Sequence, residues 1–248
     1  MASLVPILTI LSLGMAQAGA EELDFDIELE IGSTWQEKNK VQIPNDRDGD
    51  RFLLTDIAGS GPWASARINA NWNIAGPHGV RLVLAPFSYE ERGSLDSDVR
   101  FDGKTFEGGE NLKASYRFNS WRLGYRYQYY DTNGWKLWVG ATAKVRDAEI
   151  ELRQNGVRAS DDNIGVVPLL YLAGEYRFAE RWLFQFDFDG LAGGPGRAID
   201  LALKLGYEVN DRWQISAGYR GLEGGADTDD VYNFAWFNTA LVSARYRF

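Results

Sequence analysis

Apolar and polar residues alternate strictly along most of this chain, and this pattern limits the possible folds more than any other feature. In "ASARINANWNI" (64–74) every second residue from Ala66 is apolar, and the residues between them are Arg or Asn. In "RWLFQFDFD" (181–189) every second residue from Trp182 is aromatic. A period of two is typical of strands with one apolar and one polar face. No stretch of similar quality has helical periodicity, so the sequence predicts an all-β fold.

Short turns and longer polar segments separate the alternating stretches. The short connections lie at 75–79, 131–134, 179–181 and 209–211, and the long ones near 36–62, 89–111, 153–163, 190–196 and 221–236. This arrangement predicts an antiparallel up-and-down meander of about ten strands. We expect them near 24–35, 63–75, 79–89, 112–130, 135–152, 163–178, 182–189, 197–209, 213–220 and 237–248.

The segment 112–130 leaves the strand count open. Its apolar phase slips between Phe118 and Trp121, which indicates either a bulge or an extra turn at Asn119-Ser120. A second slip occurs near 146–148. One extra turn would make the count odd and two would restore an even count, so eight or twelve strands stay possible.

The first 20 residues have the pattern of an export signal. An apolar stretch is followed by small residues that form A-x-A sites, which predicts a signal peptide at 1–20 and a single barrel domain at 21–248. A buried N-terminal helix is the alternative. The chain has no Cys, which removes disulfides and thiolate chemistry. Its net charge of −9, without a basic run, argues against nucleic-acid binding.

The aromatic residues indicate which medium the apolar face meets. Trp121, Tyr125, Tyr127 and Tyr129 share one face of a strand, and Trp135, Trp182, Trp213 and Tyr219 lie near strand ends. Membrane barrels carry such aromatic girdles around an apolar outer band, with short turns on one side and long loops on the other. Unpaired backbone groups are costly in hydrocarbon, so a sheet there must close on itself. A soluble sandwich or lipocalin-like barrel is the structural alternative.

A closed barrel with lipid outside would enclose the polar face of every strand. The charges assigned to this interior, which include Glu28, Arg67 and Arg122, have both signs. This mixture predicts ion pairs across a narrow or plugged lumen rather than a strongly selective pore. The candidates for lumen ion pairs are Asp187, Asp189, Asp200, Lys204, Glu208, Arg220, Arg245 and Arg247.

The last strand, "LVSARYRF", places Tyr246 and the terminal Phe248 on its apolar face. This ending resembles the C-terminal signal of bacterial outer-membrane β-barrel proteins, although Ser243 stands where such signals often have Gly. The resemblance implies recognition of Tyr246 and Phe248 by the barrel-assembly machinery, escort by periplasmic chaperones, and insertion into the outer membrane. Contact with outer-membrane lipid and lipopolysaccharide follows from that location. We expect a monomer.

Few residues are candidates for chemistry. Outer-membrane barrel enzymes resemble one another in using a His-containing site, and the one His of this chain, His78, falls in a short turn assigned to the periplasmic side. No catalytic residue and no cofactor is therefore predicted. Asp46, Asp48 and Asp50 in "NDRDGDRF" have oxygen-rich spacing that could hold calcium, with a solvated acidic loop as the alternative.

The sequence thus predicts a non-catalytic outer-membrane barrel with a structural or narrow solute-permeation role. Two alternatives remain. One is a barrel enzyme acting on lipid or peptide at the outer leaflet, and the other is an adhesin that binds through its acidic extracellular loops.

Overall fold

The computed structural model describes residues 24–194 and 196–248, so the predicted signal peptide at 1–20 and the domain start at 21 lie outside the described residues. The described chain is almost entirely strand, with one short helix. The elements are β1 (Phe25–Gln42), β2 (Phe52–Leu53), α1 (Leu54–Ala58), β3 (Trp63–Ala75), β4 (His78–Ala85), β5 (Ser88–Gly93), β6 (Val99–Phe101), β7 (Lys104–Phe106), β8 (Leu112–Thr132), β9 (Trp135–Gln154), β10 (Val157–Arg177), β11 (Trp182–Gly193), β12 (Gly196–Glu208), β13 (Trp213–Asp227) and β14 (Tyr232–Arg247). No helix among these residues is long and apolar enough to cross a membrane.

Ten antiparallel strands of the described chain form a closed barrel wall. Each strand pairs with its neighbour in sequence, and β14 pairs with β1 to close the circle, from Asp26 opposite Arg247 to Gln42 opposite Tyr232. β4 and β5 together make one wall strand, since both pair with β8. The predicted closed up-and-down barrel of about ten strands is confirmed.

The two ends of the barrel differ in their connections. At the end that holds both termini, the Phe248 backbone N–H donates to the Phe25 carbonyl at 3.0 Å, and the turns are short. In one of these turns Asn133 and Gly134 have φ of 57° and 81°, the left-handed values that a two-residue hairpin needs. The longer segments 43–51 and 94–111 lie at the opposite end. By the usual asymmetry of such barrels the short-turn end is periplasmic and the other extracellular.

Apolar side chains form a band around the outside of the wall. On β12, Leu203 is 41% exposed, whereas the next residue, Lys204, is 4% exposed in the lumen. The predicted aromatic positions also face outward: Trp182 and Trp213 are exposed near strand ends, whereas Tyr219, which was predicted near a strand end, is exposed in the middle of β13 opposite Leu203. Trp182 lies against Tyr207 of the neighbouring strand, with ring centroids 5.0 Å apart. A closed wall with its apolar side chains outside and its charges inside is suited to a lipid bilayer.

The prediction of long loops at 153–163, 190–196 and 221–236 was largely wrong, and the long connection predicted at 36–62 begins only after Gln42, because the strands continue beyond the apolar band. β1 runs to Gln42, and β9 and β10 meet in a tight turn at Asn155-Gly156. In these extensions the polarity of the two faces is reversed. The outer face carries charges and the inner face is apolar, as in the barrel of a soluble protein.

This reversal also explains the phase slip in 112–130, which is neither a bulge nor a turn. β8 is one continuous strand whose even-numbered residues point inward from Leu112 to Arg126, across the predicted slip. Leu112 and Tyr116 are buried inside at the extracellular end, whereas Leu123 and Tyr125 are exposed on the lipid side further down. The slip near 146–148 in β9 has the same cause: Val145 faces outward, and Ile150 is buried inside. The only register irregularity that β8 makes with β9 lies at Gln128–Tyr130.

Candidate functional site in the barrel lumen

A layer of buried ion pairs crosses the lumen at the height of the apolar band. At its centre the carboxylate of Asp200 accepts hydrogen bonds from Arg67 at 3.0 Å, Arg122 at 2.5 Å and Arg220 at 2.6 Å. These four side chains come from β12, β3, β8 and β13, so the contacts tie separate parts of the wall together across the interior. All four residues are at most 7% exposed.

Asp189 on β11 extends the layer in one direction. Its carboxylate accepts from Arg81 at 2.8 Å, from Arg122 at 2.7 Å and from the Thr142 hydroxyl at 2.7 Å. Arg122 therefore bridges the two central carboxylates, Asp189 and Asp200. Arg81 also donates to Asp187 at 3.0 Å.

Two glutamates of β1 extend the layer in the other direction. Glu30 pairs with Arg220 at 2.8 Å and with the Lys204 ammonium at 3.1 Å. Glu28 accepts from the same ammonium at 2.7 Å and from the Ser243 hydroxyl at 2.7 Å. The contacts thus form one connected network from Arg81 to Glu28.

The network is balanced in charge, and this balance makes it tolerable in a dry interior. Within the central layer five carboxylates meet five cations, and Glu28 also lies 3.8 Å from Arg245, which pairs with Glu175 in the wall below. A buried charge without a partner costs several kcal/mol, whereas paired and fully hydrogen-bonded charges offset most of that cost. The members are Glu28, Glu30, Asp187, Asp189 and Asp200 on one side and Arg67, Arg81, Arg122, Lys204 and Arg220 on the other.

A polar vestibule of about 450 Å³ opens below this layer toward the periplasmic end. In its wall Glu175 pairs with Arg245 at 2.5 Å, and Glu208 pairs with Arg247 at 3.0 Å and also with Arg177. The vestibule ends at the ion-pair layer, since Glu28, Glu30 and Lys204 line both.

An apolar plug fills the lumen above the layer. The hairpin of β6 and β7 folds into the extracellular end and buries Phe101 and Phe106 completely, against Leu112 and Leu152 of the wall. Tyr89 lies over Tyr116 with ring centroids 5.4 Å apart. The lumen is therefore closed twice in the described structure, once by ion pairs and once by packed side chains.

The structure places every predicted lumen residue inside the barrel. Asp187, Asp189, Asp200, Lys204 and Arg220 meet in the central layer, whereas Glu208, Arg245 and Arg247 line the vestibule. Sequence reasoning missed Glu30 and Arg81. Both alternate with apolar neighbours, so the period of two would have assigned them to the lumen.

The three candidate metal ligands do not converge. The Asp50 carboxylate is held by the Arg100 guanidinium at 2.7 Å, and that hydrogen bond lowers the pKa of Asp50. The Asp46 carboxylate accepts from the backbone N–H of Asp48 at 2.7 Å. Within residues 24–194 and 196–248, no group of three or more His, Asp or Glu side chains is arranged to hold a metal ion.

His78 lies at the periplasmic end, as its position in a short turn predicted. It is the first residue of β4, it is exposed, and its Nδ1 is 2.6 Å from the Tyr125 hydroxyl. No carboxylate in the described chain forms an ion pair or a hydrogen bond with this imidazole.

Comparisons with known proteins find similar folds and no close relative. No family model matches the sequence, and no curated protein has significant similarity to it. Among solved structures, the outer membrane protease OmpT from Escherichia coli is 11% identical, with 91% of this chain and 97% of that one covered and a TM-score of 0.55. Neisserial surface protein A is 13% identical over 90% and 97% of the two chains, with a TM-score of 0.40. The translocator domain of the autotransporter NalP from Neisseria meningitidis is 10% identical over 91% and 88%, with a TM-score of 0.44.

The fold is therefore that of bacterial outer-membrane β-barrel proteins, as the last strand indicated. The exposed apolar band and the aromatic rings at the strand ends are the features by which such a wall contacts lipid. The chain has the fold of an outer-membrane barrel and an outer surface suited to lipid.

Proposed function

We propose that the protein is a monomeric, non-catalytic barrel whose lumen is closed at rest and whose role in the outer membrane is structural rather than solute passage. The observation that supports this proposal best is the charge-balanced layer around Asp200. An aqueous pore would need its wall charges separated and hydrated, whereas these charges are bonded to one another across the lumen. The apolar plug above the layer adds a second barrier.

An enzymatic role has less support. OmpT is named a protease, but an identity of 11% bears on the fold alone. A His-dependent site at the outer leaflet would need its imidazole at the extracellular end, and the one His of the chain lies at the periplasmic turns. Adhesion through the acidic loops has no separate observation in its favour.

The terminal aromatic residues support the proposed route into the membrane. Phe248 is 56% exposed on the lipid side, where its ring lies 5.4 Å from Phe25 and 4.8 Å from Tyr246. We infer that Tyr246 and Phe248 are read by the barrel-assembly machinery after chaperone escort, and that outer-membrane lipid and lipopolysaccharide surround the finished wall.

Conductance in planar bilayers tests the closed lumen. We expect the wild-type barrel to give no steady current above the bare bilayer. Because the ion-pair layer and the apolar plug close the lumen in series, we also expect no conductance when only one of them is removed. The ion-pair layer is weakened by Arg122→Ala with Arg220→Ala. The plug is removed by deleting residues 96–108, a segment whose ends already meet because the Gly109 N–H donates to the Leu95 carbonyl at 2.7 Å.

Only the combination of both changes should conduct. Lys136→Ala, at an exposed position in the wall of the vestibule, is the matched control and should leave the barrel silent. A steady wild-type current comparable to that of an open diffusion channel would overturn the proposal in favour of solute passage.

A further inference from the structure

The barrel wall has a gap between β10 and β11 near its extracellular end. These strands pair only from Arg177 opposite Leu183 to Leu170 opposite Gly190. Above that point β10 continues to Val157 and pairs with β9 alone among the described strands. Pro168 lies just beyond the last pair, and proline is tolerated where a strand edge has no hydrogen-bonding partner. The short hairpin of β11 and β12 ends at Gly193 and Gly196 without following β10 upward.

The gap leads into a cavity of about 810 Å³ inside the barrel. This volume is within the range of small-molecule sites. Its walls are mostly apolar and include Phe118, Ile150, Val167 and Leu191. The cavity lies above the ion-pair layer and beside the apolar plug.

The rim of the gap faces lipid. Ile164 and Val166, on the outer face of β10, are 72% and 71% exposed, the highest values among the exposed large apolar side chains of the described chain. They are this exposed because β11 does not extend beside this part of β10. Val166 is opposite Val145, and Val145 is opposite Trp121 of the aromatic set, which puts the opening near the outer-leaflet boundary.

Two cations at the inner side of the cavity lack an ion-pair or hydrogen-bond partner. Lys144 is 2% exposed, and its ammonium lies 4.7 Å from the centre of the Phe118 ring. No carboxylate between residues 24 and 194 or between 196 and 248 lies within ion-pair distance of it. One guanidinium nitrogen of Arg146 donates to Asn163, whereas its Nε is buried without a hydrogen-bond partner.

Three carboxylates of the described chain also line the cavity, Glu149, Asp161 and Asp230, and none of them lies within ion-pair distance of Lys144 or Arg146. The nearest carboxylates of the central layer, Asp189 and Asp200, are paired with the arginines around them rather than with Lys144. Glu149 pairs with Arg117 at 2.8 Å on the outer face. Asp161 lies toward the extracellular mouth, six residues or about 20 Å along β10 from Val167, the partner of Lys144. It is nearer to Arg146, since it is two residues from Asn163, but it forms no ion pair with that guanidinium. A buried ammonium without a counter-ion is costly, and an anionic ligand would remove that cost.

We propose that this lateral opening binds an amphiphile with an anionic head group and an aliphatic chain, taken from the outer leaflet. The head group, a carboxylate or a phosphate, contacts Lys144 and Arg146. The chain lies along Phe118, Val167 and Leu191 and leaves the barrel through the gap. The ion-pair layer below prevents passage to the periplasm, so the cavity is a binding site rather than a conduit.

Native mass spectrometry of the detergent-solubilised barrel tests this site. The probes are palmitate, hexadecyl phosphate and the neutral hexadecanol, which share one chain length. We expect both anions to bind at least about tenfold more tightly than the alcohol, because a hydrogen bond to a charged group is worth at least that factor. Preference for the phosphate would identify a phospholipid or lipopolysaccharide head group as the source, and preference for the carboxylate a free fatty acid.

Two variants separate head-group binding from chain binding. Lys144→Met keeps the length of the side chain and removes its charge, so it should abolish the advantage of the anions over hexadecanol. Gly193→Trp should block all three probes, since a side chain added at Gly193 meets no atom within 4 Å and would extend into the cavity. Gly193→Ala is its matched control and should bind as the wild type does.

Heat-modifiable migration on gels verifies that each variant is folded. Equal binding of all probes by the wild type and both variants would mean that the amphiphiles sit in the lipid annulus, and would overturn the proposal. The absence of retained anion in the wild type would overturn it as well. Neither result would affect the closed lumen, which conductance tests separately.

Discussion

Leu203→Arg is the sharpest test of which medium surrounds the barrel. Leu203 lies in the middle of β12, opposite Phe186 on one side and Tyr219 on the other. It is 41% exposed, and its sequence neighbours Ala202 and Lys204 point into the lumen. An arginine here would place its guanidinium among acyl chains, with the ion-pair layer on the far side of the wall.

The expected cost is about 2–4 kcal/mol, the penalty of an arginine on the lipid face near the bilayer midplane. At 1.36 kcal/mol for each factor of ten, the folding equilibrium constant should fall by about 30-fold to 900-fold. The assay is reversible urea unfolding in lipid vesicles, and Leu203→Ala is measured alongside to subtract the loss of the leucine.

Ile215→Arg is the matched control for depth. Ile215 is 50% exposed on the same outer surface, but it lies opposite Tyr207 of the periplasmic aromatic girdle. Near an interface the arginine penalty falls to about 0–1 kcal/mol. If both arginines cost the same, or if Leu203→Arg is neutral, the outer band does not face hydrocarbon and the reasoning fails.

Three further results are expected. Phe248→Ala should lower the amount of heat-modifiable barrel in membranes while leaving the urea midpoint of refolded protein nearly unchanged, because the terminal ring is proposed to be a recognition element; normal membrane yield would contradict that role. Ile150→Asp should destabilise the barrel by about 3 kcal/mol or more, since it buries a carboxylate in the apolar plug, whereas Glu149→Leu on the outer face should change stability by no more than about 1 kcal/mol. Equal effects of these two changes in urea unfolding would exclude the reversed polarity of the extensions. Arg100→Ala should raise the pKa of Asp50 toward its ordinary value, because the guanidinium lowers it now; NMR titration of the Asp50 carboxyl would show no shift if that hydrogen bond is absent.

Most of the wall could be predicted from the sequence because a membrane strand has lipid on one face and a polar lumen on the other. Its apolar and polar residues therefore alternate with a period of two. β3 has the predicted bounds, Trp63–Ala75, and β11 and β12 begin within one residue of expectation. In these strands lipid lies on one side and polar lumen on the other along most of the length, so each residue type corresponds to one face.

The extracellular extensions could not be predicted in the same way because the medium changes along the strand while the pleat does not. In β8, the inner face passes from the apolar Leu112 and Tyr116 to the charged Arg122 and Arg126 without any break in pairing. A pattern based on apolar residues alone interprets this as a slip in phase. The charges on the outer face, such as Lys113 and Arg117, were the available signal that water had replaced lipid there.

Which charges in the lumen pair with one another could not be predicted from the sequence, for a different reason. Arg67 and Asp200 are separated by 133 residues and lie on strands that do not pair with each other. Their contact depends on the stagger between strands around the closed barrel, which alternation does not specify. The sequence therefore predicted which charges are inside, and only the closed structure shows which of them meet.

The position of the lateral gap follows from the same change of medium. If pairing continued past Leu170 and Gly190, Gly193 would lie opposite Val167, at the height of Lys144. The hairpin of β11 and β12 thus ends where the inner face of β9 turns from charged to apolar. Because β10 rises above this height with no neighbour on one side, the apolar interior is covered by wall strands everywhere except at the gap. An acyl chain from the adjacent leaflet is the nearest group that could cover this part of the apolar interior without exposing apolar surface to water.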